Sequence, residues 1–181
     1  MKEYHSALAH NLLRTHRLDL LPLTTEQLKT LLENPPFLGK ILIAQSIVDA
    51  NVIRAIGMKL KKMKTLPSKE HLWQTYWLLI IRAEGVGAGL LGFKSPPNER
   101  KQAEIGYGIA ASYQNKGYMT EAVHALINWA FKNPLCEGIT ATAVKNPASN
   151  RLLEKLGAQI IDQDEEGTSW IIGKQNLNTI L

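Results

Sequence analysis

The stretch from Glu104 to Glu121 constrains this chain more than any other. It reads Glu-Ile-Gly-Tyr-Gly-Ile-Ala-Ala-Ser-Tyr-Gln-Asn-Lys-Gly-Tyr-Met-Thr-Glu. Ile105, Tyr107 and Ile109 alternate with Glu104, Gly106, Gly108 and Ala110, which predicts a strand with one large apolar face and one nearly bare face. Glycine inside a strand marks a bulge or a close approach by a ligand or another backbone. Gln114-Asn115-Lys116-Gly117 cannot continue that strand, and from Met119 onward the apolar spacing becomes helical. A loop feeding a helix N-terminus suits an anion, because unpaired backbone N–H groups point outward there.

The flanking chain supplies a sheet and helices. Arg17 to Leu23 reads as a first strand, and Thr24 to Gln27 as a capping box opening a helix with Leu28, Leu31 and Leu32 on its inner stripe. A second helix is expected from about Ser46 to Lys64, its last turns carrying Lys59, Lys61, Lys62 and Lys64 as a solvated basic end. His71 to Glu84 reads as a central strand, Gly85-Val86-Gly87 as a turn, and Ala88 to Phe93 as a short strand. After the strand at 103–110 and the helix from Met119 to Ala130, Gly138 to Val144 alternates as another strand. Asn146-Pro147 begins a helix with Asn as N-cap and Pro at the first position, closed by Gly157. Gln159 to Gln163 and Ser169 to Lys174 are the last two strands. The expected architecture is α+β: one mixed, mostly antiparallel twisted sheet of about seven strands with about four helices. Residues 1–181 are expected to form a single domain, with 1–16 as an N-terminal helix or arm.

Composition narrows the function classes. With 45% apolar and 20% charged residues, the chain is an ordinary globular one. A net charge of +5 without a clustered basic face argues against nucleic acid. The single cysteine, Cys136, excludes an internal disulfide and reads as a buried core thiol. The longest apolar run, Trp77 to Ile81, is strand-sized, and the first residues lack a signal core, so no membrane partner and a cytoplasmic location are expected. The five histidines show no metal-ligand spacing, and no metal is expected. Gly87-Ala88-Gly89-Leu90-Leu91-Gly92 matches a dinucleotide fingerprint, but the chain runs on to Ser95-Pro96-Pro97 and cannot open the required helix.

Gln114-Asn115-Lys116-Gly117-Tyr118-Met119 resembles the acyl-CoA pyrophosphate loop of the GCN5-related N-acetyltransferases. Glu104-Ile105-Gly106-Tyr107 before it, Thr120-Glu121-Ala122 after it, and Asn146 to Gly157 downstream are similar to the branch that acetylates ribosomal-protein N-termini, the RimJ/RimL-like enzymes. The resemblance implies that the sheet splays between the strands at 103–110 and 138–144. It implies acetyl-CoA as co-substrate, held by Gln114, Asn115, Lys116, Gly117, Tyr118, Met119 and Thr120, by main chain near Ile109 and Ala110, and by Asn146 and Ser149. It implies Glu104 as the base for an amine acceptor, and Ser149 as a group that assists the leaving thiolate. Met119 stands where the family prefers Gly or Ala, Asn115 where Gly is common, and Leu153 where many members carry a Tyr general acid.

Each position also has a plainer reading. Glu104 can pair with Arg82, Arg100 or Lys101, Asn146 can serve only as a cap, and Ser149 can be a small residue on a packed stripe. Arg151 and Lys155 suit either a phosphate or an exposed helix face, and His71 and Trp73 either an acceptor pocket or packing. The expected partners are acetyl-CoA and a primary amine, on a monomer or homodimer. The rival is a non-catalytic acyl-CoA-binding sensor, for which the missing Tyr at 153 is the support.

Overall fold

The computed structural model describes residues 11–33 and 36–178. The described chain enters through β1 (Leu13–Arg14), which pairs antiparallel with β2 (Leu18–Pro22). The expected helix or arm at 1–16 therefore lies largely outside the described residues, and its last part includes a short strand. Helix α1 (Thr25–Leu32) starts as its capping box predicts: Thr24 accepts from the Gln27 N–H, and the Gln27 side chain accepts from the Thr24 N–H. Two short strands, β3 (Phe37–Leu38) and β4 (Ile41–Ile43), occupy a stretch to which the pattern assigns no element. Helix α2 (Ala50–Met63) begins later than expected. Ser46 sits at φ 67°, outside helical space, and Asp49 takes the cap by accepting from the Val52 N–H.

The basic end of α2 corrects a second expectation. Helical spacing puts Lys59 on the same face as Ile56 and Met63, and it is only 7% exposed. Its ammonium donates to the Gln74 carbonyl at 2.9 Å and the Phe93 carbonyl at 2.6 Å, and lies 4.6 Å from the Tyr76 ring centre. Burial, then the nearby Lys62 and Lys94 charges, push its pKa down to about 7.

The strand expected from His71 to Glu84 contracts to its apolar run, Trp77–Ile81. A helical turn, α3 (His71–Gln74), precedes β5 (Trp77–Ile81). The turn carries Trp73 onto Phe93 and Trp129, with ring centres 4.9 and 4.8 Å away, so aromatic packing overrides the strand pattern. His71 bonds the Leu66 carbonyl, and packing accounts for both residues. The following turn falls earlier than expected, at 82–85, since Val86 and Gly87 already belong to β6 (Val86–Phe93). Every residue of β6 is buried. A Cβ on Gly89 would lie 2.6 Å from the Gly108 carbonyl oxygen, and one on Gly92 2.6 Å from that of Thr75. The glycine pattern that imitates a dinucleotide loop thus lets neighbouring backbones approach a central strand.

Strand β7 (Gln102–Ile109) is followed by α4 (Tyr118–Ala130), β8 (Gly138–Val144), α5 (Pro147–Lys155), β9 (Gln159–Asp164) and β10 (Gly167–Gly173). The sheet order is β1-β2-β5-β6-β7-β8-β10-β9, with β4 joined parallel to β6 and β3 paired to β4. The seven expected strands and four expected helices are all present, supplemented by the short β1, β3, β4 and α3. Helices α4 and α5 cover one face, burying Leu126, Ile127, Leu152 and Leu156. Helices α1 and α2 cover the other, burying Leu28, Leu31 and Ile56. Pairing between parallel β7 and β8 runs only from Gln102↔Gly138 to Glu104↔Thr140. Beyond Glu104 the two strands part, and this splay positions the site.

Candidate active site

A groove of about 440 Å³ opens where the loop after β7 meets α4 and α5. Asn115 and Gly117 adopt left-handed φ of 61° and 77°, turning the loop so that Gly117 becomes the N-cap of α4. Asn tolerates that region better than most residues, and Gly enters it without cost. No side chain caps α4. The first N–H to close back on the loop is that of Glu121, onto the Gly117 carbonyl, so those of Tyr118, Met119 and Thr120 lack intrahelical acceptors. A helix end left uncapped beside two left-handed residues can cradle an anion. Met119 turns its side chain into the core, reaching within 3.3 Å of the Cβ position of Gly89, and leaves the backbone path intact.

Of the expected cofactor residues, Ile109, Gln114, Asn115, Gly117, Tyr118 and Met119 line this groove. Thr120, Asn146 and Ser149 line it as well. Ala110 does not: it is buried in the core, and its N–H donates to the Ala88 carbonyl at 2.9 Å. Successive N–H groups of an antiparallel strand point to opposite sides, so that bond aims the Ile109 N–H into the splay. Lys116 also stands off the groove, its ammonium 5.1 Å from the Tyr113 ring centre. On the α5 side, the Asn146 side chain accepts from the Ala148 N–H at 2.8 Å, so its cap role is real. Leu153, where the family often carries a tyrosine, is 1% exposed and part of the core. Arg151 and Lys155 both reach the groove wall.

The strongest clamp on the loop comes from residues that sequence reasoning missed. Arg17 donates from Nε to Glu121 at 2.7 Å and from Nη1 to the Lys116 carbonyl at 2.9 Å, with its guanidinium 4.6 Å from the Tyr118 ring centre. The Arg17 N–H and the Thr15 hydroxyl donate to the other Glu121 oxygen, at 2.8 and 2.5 Å. Burial raises the Glu121 pKa, but these donors outweigh it and hold the carboxyl below its usual range. One signal was available. A carboxylate in the first turn of a helix whose N-terminus is expected to bind an anion calls for a cation, although its partner lies 104 residues away.

Glu104 sits apart from the groove, at the point where β7 and β8 separate. Its carboxylate is 26% exposed and is bound on Oε1 by Lys94 at 2.5 Å and by the Thr142 hydroxyl. The partner is thus Lys94, not Arg82, Arg100 or Lys101. Arg82 turns to Asp19, and Lys101 to Glu137. A bulge places both Thr142 and Ala143 opposite Ser169, with Ala143 at φ 52° and its N–H on the Ser169 hydroxyl. Cys136 is buried and unpaired, its thiol pushed up to about 11 by burial, as expected of a core thiol. Among the described residues, no group of acidic, His and Cys side chains is arranged for a metal, and no helix is long and apolar enough to cross a membrane.

The site thus combines a mixed sheet that splays between β7 and β8 with an uncapped, loop-fed helix. The family profile described as "Acetyltransferase (GNAT) domain" matches residues 17–159, and the chain belongs to that family. An uncharacterized N-acetyltransferase, YjdG of Bacillus subtilis, is 34% identical over 96 residues, covering 52% of this chain and 57% of that protein. The chain therefore matches little more than half the length of that relative. The ribosomal-protein-S5-alanine acetyltransferase of Vibrio fischeri superposes with a TM-score of 0.64 at 18% identity, over 93% of this chain and 99% of that one. RimL, a ribosomal L7/L12 alpha-N-protein acetyltransferase solved with coenzyme A, gives 0.62 at 17%, over 90% and 97%. These similarities at low identity establish the shared fold.

Proposed function

We propose that this chain is an acetyl-CoA-dependent N-acetyltransferase that passes the acetyl group directly to a primary amine. The observation that carries the reading is the uncapped start of α4, opening between two left-handed residues onto a groove that leads into the splay. The groove volume lies in the range of small-molecule sites, about 300–1,000 Å³. Its mixed lining, with Asn115, Thr120, Asn146 and Arg151 among apolar side chains, suits a long, phosphorylated ligand. When bound, acetyl-CoA supplies an activated thioester as acyl donor.

The chain's own groups then have separate tasks. The N–H groups of residues 118–120 would take the pyrophosphate, with the helix dipole in support. The Ile109 N–H, facing the splay, would bind the thioester oxygen as it gains charge. Asn146 and Ser149 would line the arm between them. Glu104 would accept the amine proton. It lies five residues from Ile109, about 17 Å along an ideal strand, so the relay runs through water. Holding donor and acceptor together in one cleft supplies much of the acceleration.

The neighbours that act on ribosomal-protein N-termini make short peptides the first acceptors to test. A thiol-release screen should include N-terminal Ser and Ala peptides, polyamines and amino acids. Release above the acceptor-free rate with at least one amine is expected. Tight acetyl-CoA binding with no release on any amine would instead favour the sensor, the reading that Leu153 keeps in play.

A further inference from the structure

One face of β7 is bare. Ile105 and Tyr107 pack into the core under α4 and α5. Glu104, Gly106 and Gly108 alternate with them and point the other way, toward the side that α1 and α2 cover. Those helices stop short of this strip. No atom of the described residues lies within 4 Å of the Cβ position of Gly106 or Gly108. Gly92, opposite Gly106 on β6, has its own Cβ position blocked by the Thr75 carbonyl. The open strip is therefore confined to β7, and it ends at Glu104.

The Glu104 end is basic. Lys94 holds the Glu104 carboxylate at 2.5 Å. Lys62, in the last turn of α2, donates to the Lys94 carbonyl at 3.4 Å. Lys59 donates to the Phe93 carbonyl at 2.6 Å. Three lysines from two elements thus converge on residues 93–94. The chain has no acidic residue between Asp49 and Glu70 to offset those on α2. Burial first, then the charges of Lys62 and Lys94, bring the Lys59 pKa down to about 7, which shows the same positive field from inside. Lys62 and Lys94 themselves are exposed, so their charges reach an incoming molecule.

We propose that the bare strip of β7 seats the acceptor, and that Lys62, backed by Lys94, selects an amine carrying a carboxylate a short chain away. This inference rests on the acetyl-transfer reading above and narrows its acceptor. Glu104 draws the ammonium toward the splay, and the lysines beside it repel any further cation. A polyamine or a lysine-rich peptide therefore meets like charge at the mouth of the site. An acidic acceptor places its amine at Glu104 and its carboxylate on Lys62. Aspartate, glutamate and peptides with an acidic second or third residue share that chemistry. The missing side chains at 106 and 108 leave room for such a chain to lie flat on the strand.

The test compares kcat/KM for peptides matched in length and first residue, one acidic and one lysine-rich at the next two positions, with aspartate and spermidine as small-molecule arms. The acidic form should be favoured at least about tenfold at low salt, and the gap should close at ~1 M salt, where charges are screened within about 3 Å. Either acidic arm ahead of its basic counterpart supports the proposal, and the faster of the two names the source. Lys62→Glu should reverse the order while acetyl-CoA affinity stays within twofold. Gly106→Val fills the strip and should lower transfer to every amine at least about 100-fold, with melting temperature and acetyl-CoA binding unchanged. Equal kcat/KM for acidic and basic acceptors in wild type and Lys62→Glu would overturn the proposal, as would full activity in Gly106→Val. If wild type acetylates no amine, fluorescence anisotropy of the labelled acidic peptide on the coenzyme A-loaded protein decides. Binding that Lys62→Glu abolishes keeps the strip as an acidic-ligand site and sinks the transfer reading instead, and absence of binding overturns the proposal.

Discussion

The two ends of the site are held in opposite ways. The loop end is pinned from outside: Arg17 and Thr15, in the turn between β1 and β2, grip Glu121 and the Lys116 carbonyl, so the backbone N–H groups are set before any ligand arrives. The splay end is left open. β7 has lost its partner strand there, and Glu104 is fixed by two side chains on one oxygen and remains partly exposed. The contrast follows from what each end would do. A fixed anion needs prearranged dipoles, since aligning them on binding would cost affinity. An amine that must arrive, lose a proton and leave needs access.

The contrast breaks first at Gly117. Gly117→Val puts a branched side chain at φ 77°, with its Cβ 3.3 Å from Arg17. Acetyl-CoA affinity should fall by about 100-fold or more, as the loop leaves its conformation. Calorimetric titration reads this, and unchanged affinity would mean the loop is not the cofactor site. Arg17→Leu should raise KM for acetyl-CoA about tenfold with kcat nearly unchanged, because Glu121 then faces the anion site uncompensated. Arg17→Lys should fall between, since it keeps the charge but loses the fork. A drop in kcat at constant KM would contradict the division of labour.

Behind the splay end, Lys59 offers a pH test. Its folded pKa, about 7, lies below its ordinary 10.5. Between those values the unfolded chain holds a proton that the folded chain does not, so stability rises with pH across that window. Below pH 7 both states hold the proton and this slope vanishes. The contribution is on the order of 1 kcal/mol per pH unit, and Lys59→Met should abolish it. Denaturant midpoints from pH 7 to 10 for both proteins read the difference, and parallel curves would refute the depressed pKa. The smallest expected effect is Thr142→Val. It removes one of two donors to Glu104 and should lower kcat only about threefold, with acetyl-CoA binding unaffected.

Legibility in the sequence followed the range of each interaction. The loop, the Asn146 cap and the α1 capping box are set by residues within four positions of one another, and the pattern located them. Met119 turning inward followed from helical spacing. What stayed hidden was paired across the fold. The Arg17–Glu121 grip spans 104 residues. Thr142 reaches Glu104 from a bulge in the next strand. Lys94 reaches it across a hairpin, and local charge proposed three other partners. Lys59 read as solvated because only the packing of α2 against α3 and β6 reveals the two carbonyls that receive its ammonium. The helical turn at His71–Gln74 was masked for a similar reason, since its tryptophan finds its aromatic neighbours on distant elements.

The most direct test of the whole account measures two quantities on one variant. Glu104→Gln removes the carboxylate's charge and keeps its shape. With an acceptor that wild type acetylates, its kcat should fall at least about 100-fold, while acetyl-CoA binding stays within twofold. Equal turnover by wild type and variant would remove Glu104 from the chemistry, and binding lost together with turnover would contradict the separation of the two ends.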